Sequence, residues 1–285
     1  MPSFMANPSQ PKLKLPKGAC DCHFHVFGPQ ARFAYAAGRS YTPPAEAPKE
    51  ALFRLHAHLG IERGVVVQSA VHALDNSASA DLIAARPREY RGVALIQPSI
   101  PDGDLKELDR QGFRGARFHF MKHLASGATM DEILALAKRL APLGWHLQLH
   151  MESALIGEMT GALGRAPVPV VVDHMGRIDA SLGLEHKGFL DLLALMEKPH
   201  VWVKVSGAER ASRKESPWPD AVPFARKLVA EYGDRVLWGT DWPHPNLKAV
   251  PDDGVLVDLL SGIAPSEAQR KSLLVDNPQR FYGFQ

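Results

Sequence analysis

Residues 19–26 read Ala-Cys-Asp-Cys-His-Phe-His-Val (ACDCHFHV), a segment in which polar and apolar side chains alternate. This alternation predicts a first β-strand. Seven further short apolar runs rich in β-branched residues follow it, separated by longer amphipathic segments. The later predicted strands are GVVVQSA (64–70), GVALIQP (92–98), GARFHF (115–120), WHLQLHM (145–151), VPVVVDHM (168–175), VWVKVSG (201–207) and VLWGTDW (236–242). Eight strands that alternate with helical segments predict a parallel sheet built of βα units.

The segments between the strands have helical periodicity, and several end at the glycine expected just past a helix C-terminus. Helical patterns include KEALFRLHAHLG (49–60), DEILALAKRLAPLG (131–144), GFLDLLALMEK (188–198) and DAVPFARKLVAEYG (220–233), with a last helix through SEAQRKSLLVDNPQRFYG (266–283). Eight such units in 285 residues match the about 250 residues of a (β/α)8 TIM barrel better than an open doubly wound sheet. No glycine-rich phosphate loop follows the first strand, which disfavours a dinucleotide-binding fold.

The predicted barrel occupies most of the chain. Residues 1–17 contain several prolines and little periodicity, so we expect a flexible N-terminal arm outside the core. Residues 18–285 show no fixed repeat and no shift in composition, and they are predicted to form a single TIM-barrel domain.

The composition excludes several classes of function. Apolar residues make up 45% and charged residues 22% of the chain, as in ordinary globular proteins, which excludes a disordered or fibrous protein. The net charge of +2 and the absence of a block of like charges give no support to nucleic-acid binding. No apolar run approaches the about 18 residues of a membrane span. The two cysteines, Cys20 and Cys22, are near neighbours on one strand and are not expected to cross-link the fold by a disulfide. This fits a reducing compartment, so we expect a cytoplasmic protein. The near-neutral charge favours a small-molecule partner. A homo-oligomer is compatible with the sequence.

Histidine and aspartate recur at the ends of four predicted strands, where a TIM barrel places its active site. The residues are His23, His25, His150, His174 and Asp241. His23 and His25 share a face because side chains alternate along a strand, and we expect both to point into the barrel. A single strand histidine is more often a hydrogen-bonded core residue. Imidazole nitrogens with a carboxylate oxygen are nevertheless the ligands of a divalent ion such as Zn or Mn, so the whole set predicts one metal site.

A second set of candidate residues is cationic. Arg117 and Lys204 occupy strand positions that face the barrel interior, and a buried cation needs a partner, either a protein carboxylate or an anionic ligand. Arg210 follows the seventh strand and His123 follows the fourth. We predict that these four side chains bind a small carboxylate substrate. By contrast, His56 lies in the first helical segment and is expected at the surface.

Five motifs carry a family resemblance: DCHFHVFGP, VVDHMGR, VWVKVSGAER, VLWGTDWPHPN and LLVDNPQRFYGF. Together they resemble the amidohydrolase superfamily, in the amidohydrolase-2 branch that contains the 2-pyrone-4,6-dicarboxylate lactonases, over residues 18–284. The resemblance implies a barrel hydrolase that opens the lactone of a small (di)carboxylic acid by activated water, in aromatic degradation. The positions that match the family's functional residues are His23, His25, His174, Asp241 and Arg210, with Asp241 as the residue that handles the proton.

Three positions depart from the lactonase pattern. Those lactonases act without a metal, have Tyr where this chain has His150, and have a second Arg near the position of His123. His150 restores the metal-binding set of the wider superfamily, so the resemblance implies one divalent ion and also leaves metal-independent action open. Loss of the second Arg removes one carboxylate clamp. His119 stands where the pattern has Asn, which changes the side chain offered to the pocket.

Three functional interpretations remain open from the sequence. In the first, a lactone hydrolase, Asp241 takes a proton from water and returns it to the leaving oxygen, while Arg117 and Arg210 orient substrate carboxylates. The second is a metal-dependent decarboxylase of an aromatic or muconate-like acid, distinguished by release of carbon dioxide. The third is a non-catalytic barrel that binds a small acid, which is disfavoured because binding alone needs no base.

Overall fold

The computed structural model describes residues 4–121, 127–247 and 249–285. Its strands β1 to β8 are, in chain order, Cys20–Phe24, Arg63–Val67, Tyr90–Leu95, Phe113–Phe120, His146–Met151, Val170–Val172, Val201–Lys204 and Val236–Leu237. Each strand pairs in parallel with the next. Backbone hydrogen bonds then join β1 to the segment after β8, from Cys22 N to Trp238 O (2.8 Å) and from Asp241 N to His23 O (2.7 Å). The sheet is a nearly closed barrel, and the predicted (β/α)8 TIM barrel is confirmed.

Helices form the layer around this barrel. Helices α1 to α12 are Lys49–Leu59, Ser77–Ala85, Asp102–Arg110, Met130–Leu140, Ile156–Leu163, Lys187–Met196, Ala208–Ala211, Val222–Glu231, Asp253–Asp258, Leu260–Ile263, Glu267–Lys271 and Asn277–Tyr282. The last predicted helix is divided, because a π-helical segment, Ser272–Asp276, separates α11 from α12. Pro278 in the first turn of α12 has no N–H to continue the regular ladder, which explains the interruption. No helix in the described ranges is both long and apolar enough to cross a membrane.

Helix α1 corrects one prediction. Its buried residues are Leu52, Leu55, His56 and Leu59, spaced as one face of an α-helix. His56 therefore belongs to the apolar face and is buried, whereas the sequence analysis placed it at the surface. Its Nδ1 lies 3.0 Å from the Tyr90 hydroxyl, which gives the buried ring a hydrogen-bond partner.

Two strands that precede site residues, β6 and β8, are shorter than predicted. β6 ends at Val172 and β8 at Leu237, although the apolar patterns extend further. His174 and Asp241 lie beyond these ends with positive φ angles of 48° and 62°. Left-handed backbone cannot continue a strand, so the chain turns at these two residues, a conformation that is often strained and concentrated at functional sites.

The opposite end of the barrel is closed by the C-terminal segment. Tyr282 and Phe284 pack with an apolar cluster inside the strands that includes Cys22, Val171 and Leu237. This packing fills the end where the strands begin, so the opening lies where they finish.

Residues 4–17 run across the outer helices. Ser9 N donates to Asp252 Oδ1 at 3.0 Å and Lys12 N donates to Asp258 Oδ1 at 2.7 Å. The Phe4 ring lies against the Trp242 ring with a centroid separation of 4.8 Å. This contact brings the N-terminal segment to the residue that directly follows Asp241.

Candidate active site

A pocket opens at the end of the barrel where the strands finish. Six side chains predicted from the sequence as site residues line it: His25, Arg117, His150, His174, Arg210 and Asp241. His23 lies beneath them with no exposed surface. The structure thus brings together residues from β1, β4 and β5 and from the segments that follow β6, β7 and β8.

Asp241 lies at the centre of the predicted histidines. Its Oδ1 is 3.2 Å from His25 Nε2, 3.6 Å from His23 Nε2 and 3.7 Å from His174 Nε2. Its other oxygen, Oδ2, accepts a hydrogen bond from Nε of Arg210. One carboxylate oxygen is therefore held by a guanidinium, and the other faces three imidazoles.

Hydrogen bonds on the far side of each ring set the orientation of two of these imidazoles. His25 Nδ1 lies 2.6 Å from the carbonyl oxygen of Val67, which can only accept, so Nδ1 is the donor. His174 Nδ1 lies 3.0 Å from Oγ of Ser206. Both contacts leave Nε2 directed toward Asp241.

Asp21 holds the backbone around the site. Its Oδ1 accepts hydrogen bonds from His23 N (2.9 Å) and Thr240 N (3.1 Å), and its Oδ2 accepts from Thr240 Oγ1 (2.6 Å). A Cβ on Gly239 would lie 2.4 Å from His23 N, so only glycine permits this approach of the segment after β8 to β1. No role was predicted for Asp21 from the sequence. A charged residue between Cys20 and Cys22, inside a predicted strand, was the feature of the sequence that could have indicated a structural role.

Three residues of the site have ligand atoms close enough together to bind one divalent ion. Ligand atoms of His23, His25 and Asp241 lie within 4.8 Å of one another, and all three residues are buried. A neutral His25 that donates through Nδ1 has a lone pair at Nε2, facing the Asp241 carboxylate, and a cation between two such acceptors would stabilise them. In the described part of the chain this group includes neither His150 nor His174, which the sequence analysis also predicted as ligands.

Lys204 does not reach the pocket. Its side chain has no exposed surface, and its Nζ lies 3.5 Å from Asp173 Oδ1 and 2.9 Å from Gln148 Oε1. Asp173 also accepts a hydrogen bond from Arg117 Nε at 2.9 Å. Of the two partners considered from the sequence, a protein carboxylate or an anionic ligand, the structure shows the protein carboxylate for Lys204. Its placement therefore does not support substrate contact.

Three arginines, Arg117, Arg177 and Arg210, line the pocket. Arg177 was not singled out from the sequence, although it ends the motif VVDHMGR that follows β6. Burial lowers the pKa of Arg177 to about 10, and repulsion from Arg210 adds to this. Cations that repel one another inside one pocket favour an anionic ligand.

His150 lies apart from the Asp241 cluster. Its Nδ1 is 3.3 Å from Nδ1 of His119, and both residues line the pocket. Burial lowers the pKa of His150 well below its ordinary value, and the Arg117 charge adds to the shift. His123, predicted to bind substrate, lies outside the described residues.

The charge states of the central residues follow from burial and neighbouring charges. Burial raises the pKa of Asp241, but Arg210 and the imidazoles outweigh it, so the pKa lies well below its usual range. Burial lowers the pKa of His174 to about 3, despite the opposing effect of Asp241. At neutral pH the site therefore combines an ionised carboxylate with a neutral His174.

Comparisons with known proteins agree with this geometry. The chain is 46% identical to a 2-pyrone-4,6-dicarboxylate hydrolase from Comamonas testosteroni, over 98% of this chain and 94% of that protein. It is 39% identical to a 4-sulfomuconolactone hydrolase from Hydrogenophaga intermedia, over 95% and 91% of the two chains. A solved apo structure from Agrobacterium tumefaciens superposes with a TM-score of 0.86 at 28% identity, covering 96% and 99%. These relatives do not favour the decarboxylase alternative.

The model of the amidohydrolase family matches residues 20–284, which contain β1 to β8 and the whole His/Asp cluster. The match confirms the predicted family, and together with the two hydrolase relatives it confirms a lactonase-like hydrolase. The chain belongs to the amidohydrolase family.

Proposed function

We propose that this hydrolase opens the ring of a small lactone that carries one or more anionic groups. The observation that supports this most directly is the position of Asp241, whose Oδ1 faces three imidazoles while three arginines line the same pocket. A carboxylate base beside the pocket suits water activation. The arginines suit an acidic substrate.

Asp241 is the proposed proton-transfer residue. Its Oδ1 takes a proton from water, and the resulting hydroxide attacks the lactone carbonyl carbon. The ring C–O bond then breaks, and Asp241 returns the proton to the leaving oxygen, so that water has been added across the bond. His174 Nε2 lies close enough to Oδ1 to contact the same carbonyl, and with its proton on Nε2 it can stabilise the developing negative charge.

A divalent ion, Zn or Mn, is the proposed cofactor. His23, His25 and Asp241 would hold it, and His174 and His150 remain predicted as further ligands. When bound, such an ion lowers the pKa of water toward about 7 and polarises a carbonyl. Hydrolysis without a metal, with the imidazoles acting on the carbonyl directly, stays the alternative.

The proposed substrate class is an acidic lactone. The relatives from Comamonas and Hydrogenophaga are named for a pyrone dicarboxylate and a sulfomuconolactone, both cyclic and anionic. Arg117, Arg177 and Arg210 can supply paired N–H donors to carboxylate or sulfonate oxygens. We propose Arg117 and Arg210 as carboxylate clamps, with Arg177 as a third anion contact and His123 as a contact at the rim.

The deciding experiment compares turnover of 2-pyrone-4,6-dicarboxylate, 4-sulfomuconolactone and a panel of mono- and dicarboxylate lactones with the methyl esters of the carboxylates. We expect the acids to be hydrolysed and the neutral esters to react at least tenfold more slowly, because each charge-assisted contact contributes roughly 1.5–3 kcal/mol. Equal turnover of acids and esters would show that the pocket does not select anions. No hydrolysis of any lactone, or release of carbon dioxide instead, would refute the proposal.

We also propose a cytoplasmic location. Cys20 and Cys22 are both free thiols, with their sulfur atoms 3.7 Å apart. Buried free cysteines are compatible with a reducing compartment.

A further inference from the structure

The ammonium group of Lys204 is surrounded by three polar atoms below the pocket floor. Nζ lies 2.9 Å from Gln148 Oε1, 3.1 Å from His23 Nδ1 and 3.5 Å from Asp173 Oδ1. An ammonium has three N–H donors and no acceptor. Gln148 presents its oxygen to Lys204 because its amide nitrogen donates to Asp173 Oδ2 at 3.2 Å. Lys204 therefore donates to Gln148 Oε1 and to a ring nitrogen of His23, and it forms an ion pair with the more distant Asp173 Oδ1.

We propose that Lys204 is a positioning residue that fixes the tautomer of His23. If Nδ1 accepts from Lys204, it carries a lone pair, and the proton of the neutral ring resides on Nε2. His23 then presents an N–H toward Asp241, whose Oδ1 lies 3.6 Å from Nε2. This role replaces the substrate contact predicted for Lys204 from the sequence.

The opposite tautomer of His23, with its proton on Nδ1, has an acceptor in Asp173, but its N–H would face the N–H donors of Lys204. Asp173 Oδ1 lies 3.3 Å from His23 Nδ1 and could accept a proton from it. That proton would then face the Lys204 ammonium, 3.1 Å from Nδ1, so two donors would oppose each other.

His23 and His25 consequently differ in what they offer to Asp241. His25 donates through Nδ1 to Val67 O and keeps a lone pair at Nε2, whereas His23 keeps a proton there. The N–H of His23 directs its dipole at the Asp241 carboxylate, 3.6 Å away, and so favours the ionised carboxylate. A divalent ion needs a lone pair instead, so binding through Nε2 requires the His23 proton to move to Nδ1, against Lys204. Lys204 thus favours N–H donation over metal binding at His23; the catalytic consequence rests on the proposed lactonase function.

Nuclear magnetic resonance of protein labelled with ¹⁵N-histidine tests the tautomer directly, since two-bond couplings show which ring nitrogen carries hydrogen. A His23→Gln variant identifies the His23 signals. In the wild-type protein we expect the proton on Nε2. In Lys204→Met we expect it on Nδ1, facing Asp173. A proton on Nδ1 in the wild-type protein would overturn the proposal, and so would an unchanged tautomer in the variant. If Lys204→Met does not fold, the wild-type spectrum decides.

Zinc binding to chelator-treated protein gives a second readout, with Arg117→Met as a charge-matched control. Arg117 contributes one positive charge to Asp173 at 2.9 Å, as Lys204 does at 3.5 Å, but only Lys204 donates to His23. We expect Lys204→Met to tighten zinc binding about 10–100-fold beyond any gain in Arg117→Met, the usual range for residues that orient a ligand. Equal gains would show a general effect of charge and refute the proposal.

Neither measurement uses lactone turnover, so the two proposals can fail separately. A protein that hydrolyses acidic lactones but carries the His23 proton on Nδ1 refutes only the role of Lys204. A protein with the expected tautomer and no lactone hydrolysis refutes only the proposed function.

Discussion

Arg210 donates through Nε to Oδ2 of Asp241, although the two residues lie 31 positions apart. The guanidinium also donates to the carbonyl of Pro245 at 3.1 Å, which fixes its position between the loops after β7 and β8. Asp241 therefore keeps Oδ1 for the imidazoles and for proton transfer. This division of one carboxylate is the basis of the first two predictions.

We expect Asp241→Asn to abolish turnover while the fold is retained. The amide has nearly the same size but cannot accept the proton of water, and loss of a general base costs on the order of 10²–10⁴ in rate. Steady-state kinetics with an acidic lactone measure the loss, and the thermal unfolding midpoint is the control for folding. Near-normal turnover would remove Asp241 from the mechanism.

We expect Arg210→Lys to lower kcat/KM about ten- to a hundredfold although the charge is kept. Lysine cannot reproduce the planar donor fork, and each lost charge-assisted contact costs roughly 1.5–3 kcal/mol. Kinetics with a dicarboxylate lactone measure the effect. Arg213→Lys is the matched control, because Arg213 is exposed and pairs with Asp179 away from the pocket. An equal loss in both variants would argue against a specific role for Arg210.

Arg177→Met should raise KM for acidic lactones selectively. Arg177 lines the pocket beside Arg117 and Arg210, so its removal deletes one of three cations that an anionic substrate can contact. We expect about a tenfold increase for a dicarboxylate lactone and a smaller change for its monomethyl ester. If the acid and its ester change by the same factor, Arg177 does not contact the second anionic group.

Metal loading should saturate at one divalent ion per chain and require His25. Protein purified without chelator, analysed for metal and then titrated with zinc, gives the stoichiometry. His25→Ala should abolish saturable binding, because it removes one of three convergent ligands. His186→Ala is the control, since His186 is an exposed histidine at the start of α6. Content well below one ion per chain, with activity unaffected by chelation, would contradict a metal site.

The alternation of side chains between the two faces of a strand explains why part of the site could be predicted. His23 and His25 share a face in any strand, and parallel strands of a barrel end together, so their approach to Asp241 follows from order along the chain. The turns at His174 and Asp241 were not predictable in the same way. Both strand patterns continue through these residues, and only tertiary packing forces the left-handed backbone there.

Contacts between residues far apart in sequence account for the remaining omissions. Asp173 precedes a predicted site histidine, but nothing local indicates that Arg117 and Lys204, 56 and 31 positions away, both point at it. His56 shows the same limit on a helix. It was predicted at the surface because a polar ring in a helix is expected to be solvated, and the partner that allows its burial, Tyr90, lies 34 residues away and cannot be identified from the pattern.

The last prediction concerns acid stability and His146, which is buried at the barrel end opposite the pocket with its ring 4.8 Å from that of Phe281. Burial lowers the pKa of His146 to about 3, from an ordinary value of about 6.5. The unfolded chain therefore binds a proton that the folded chain excludes, so stability is greatest above about pH 6.5 and falls as the pH decreases toward 3.

His146→Leu removes this group. We expect the slope of unfolding free energy against pH, from urea titrations between about pH 4 and 6, to decrease by up to about 1.4 kcal/mol per pH unit. Identical slopes for the two proteins would mean that His146 is protonated in the folded state.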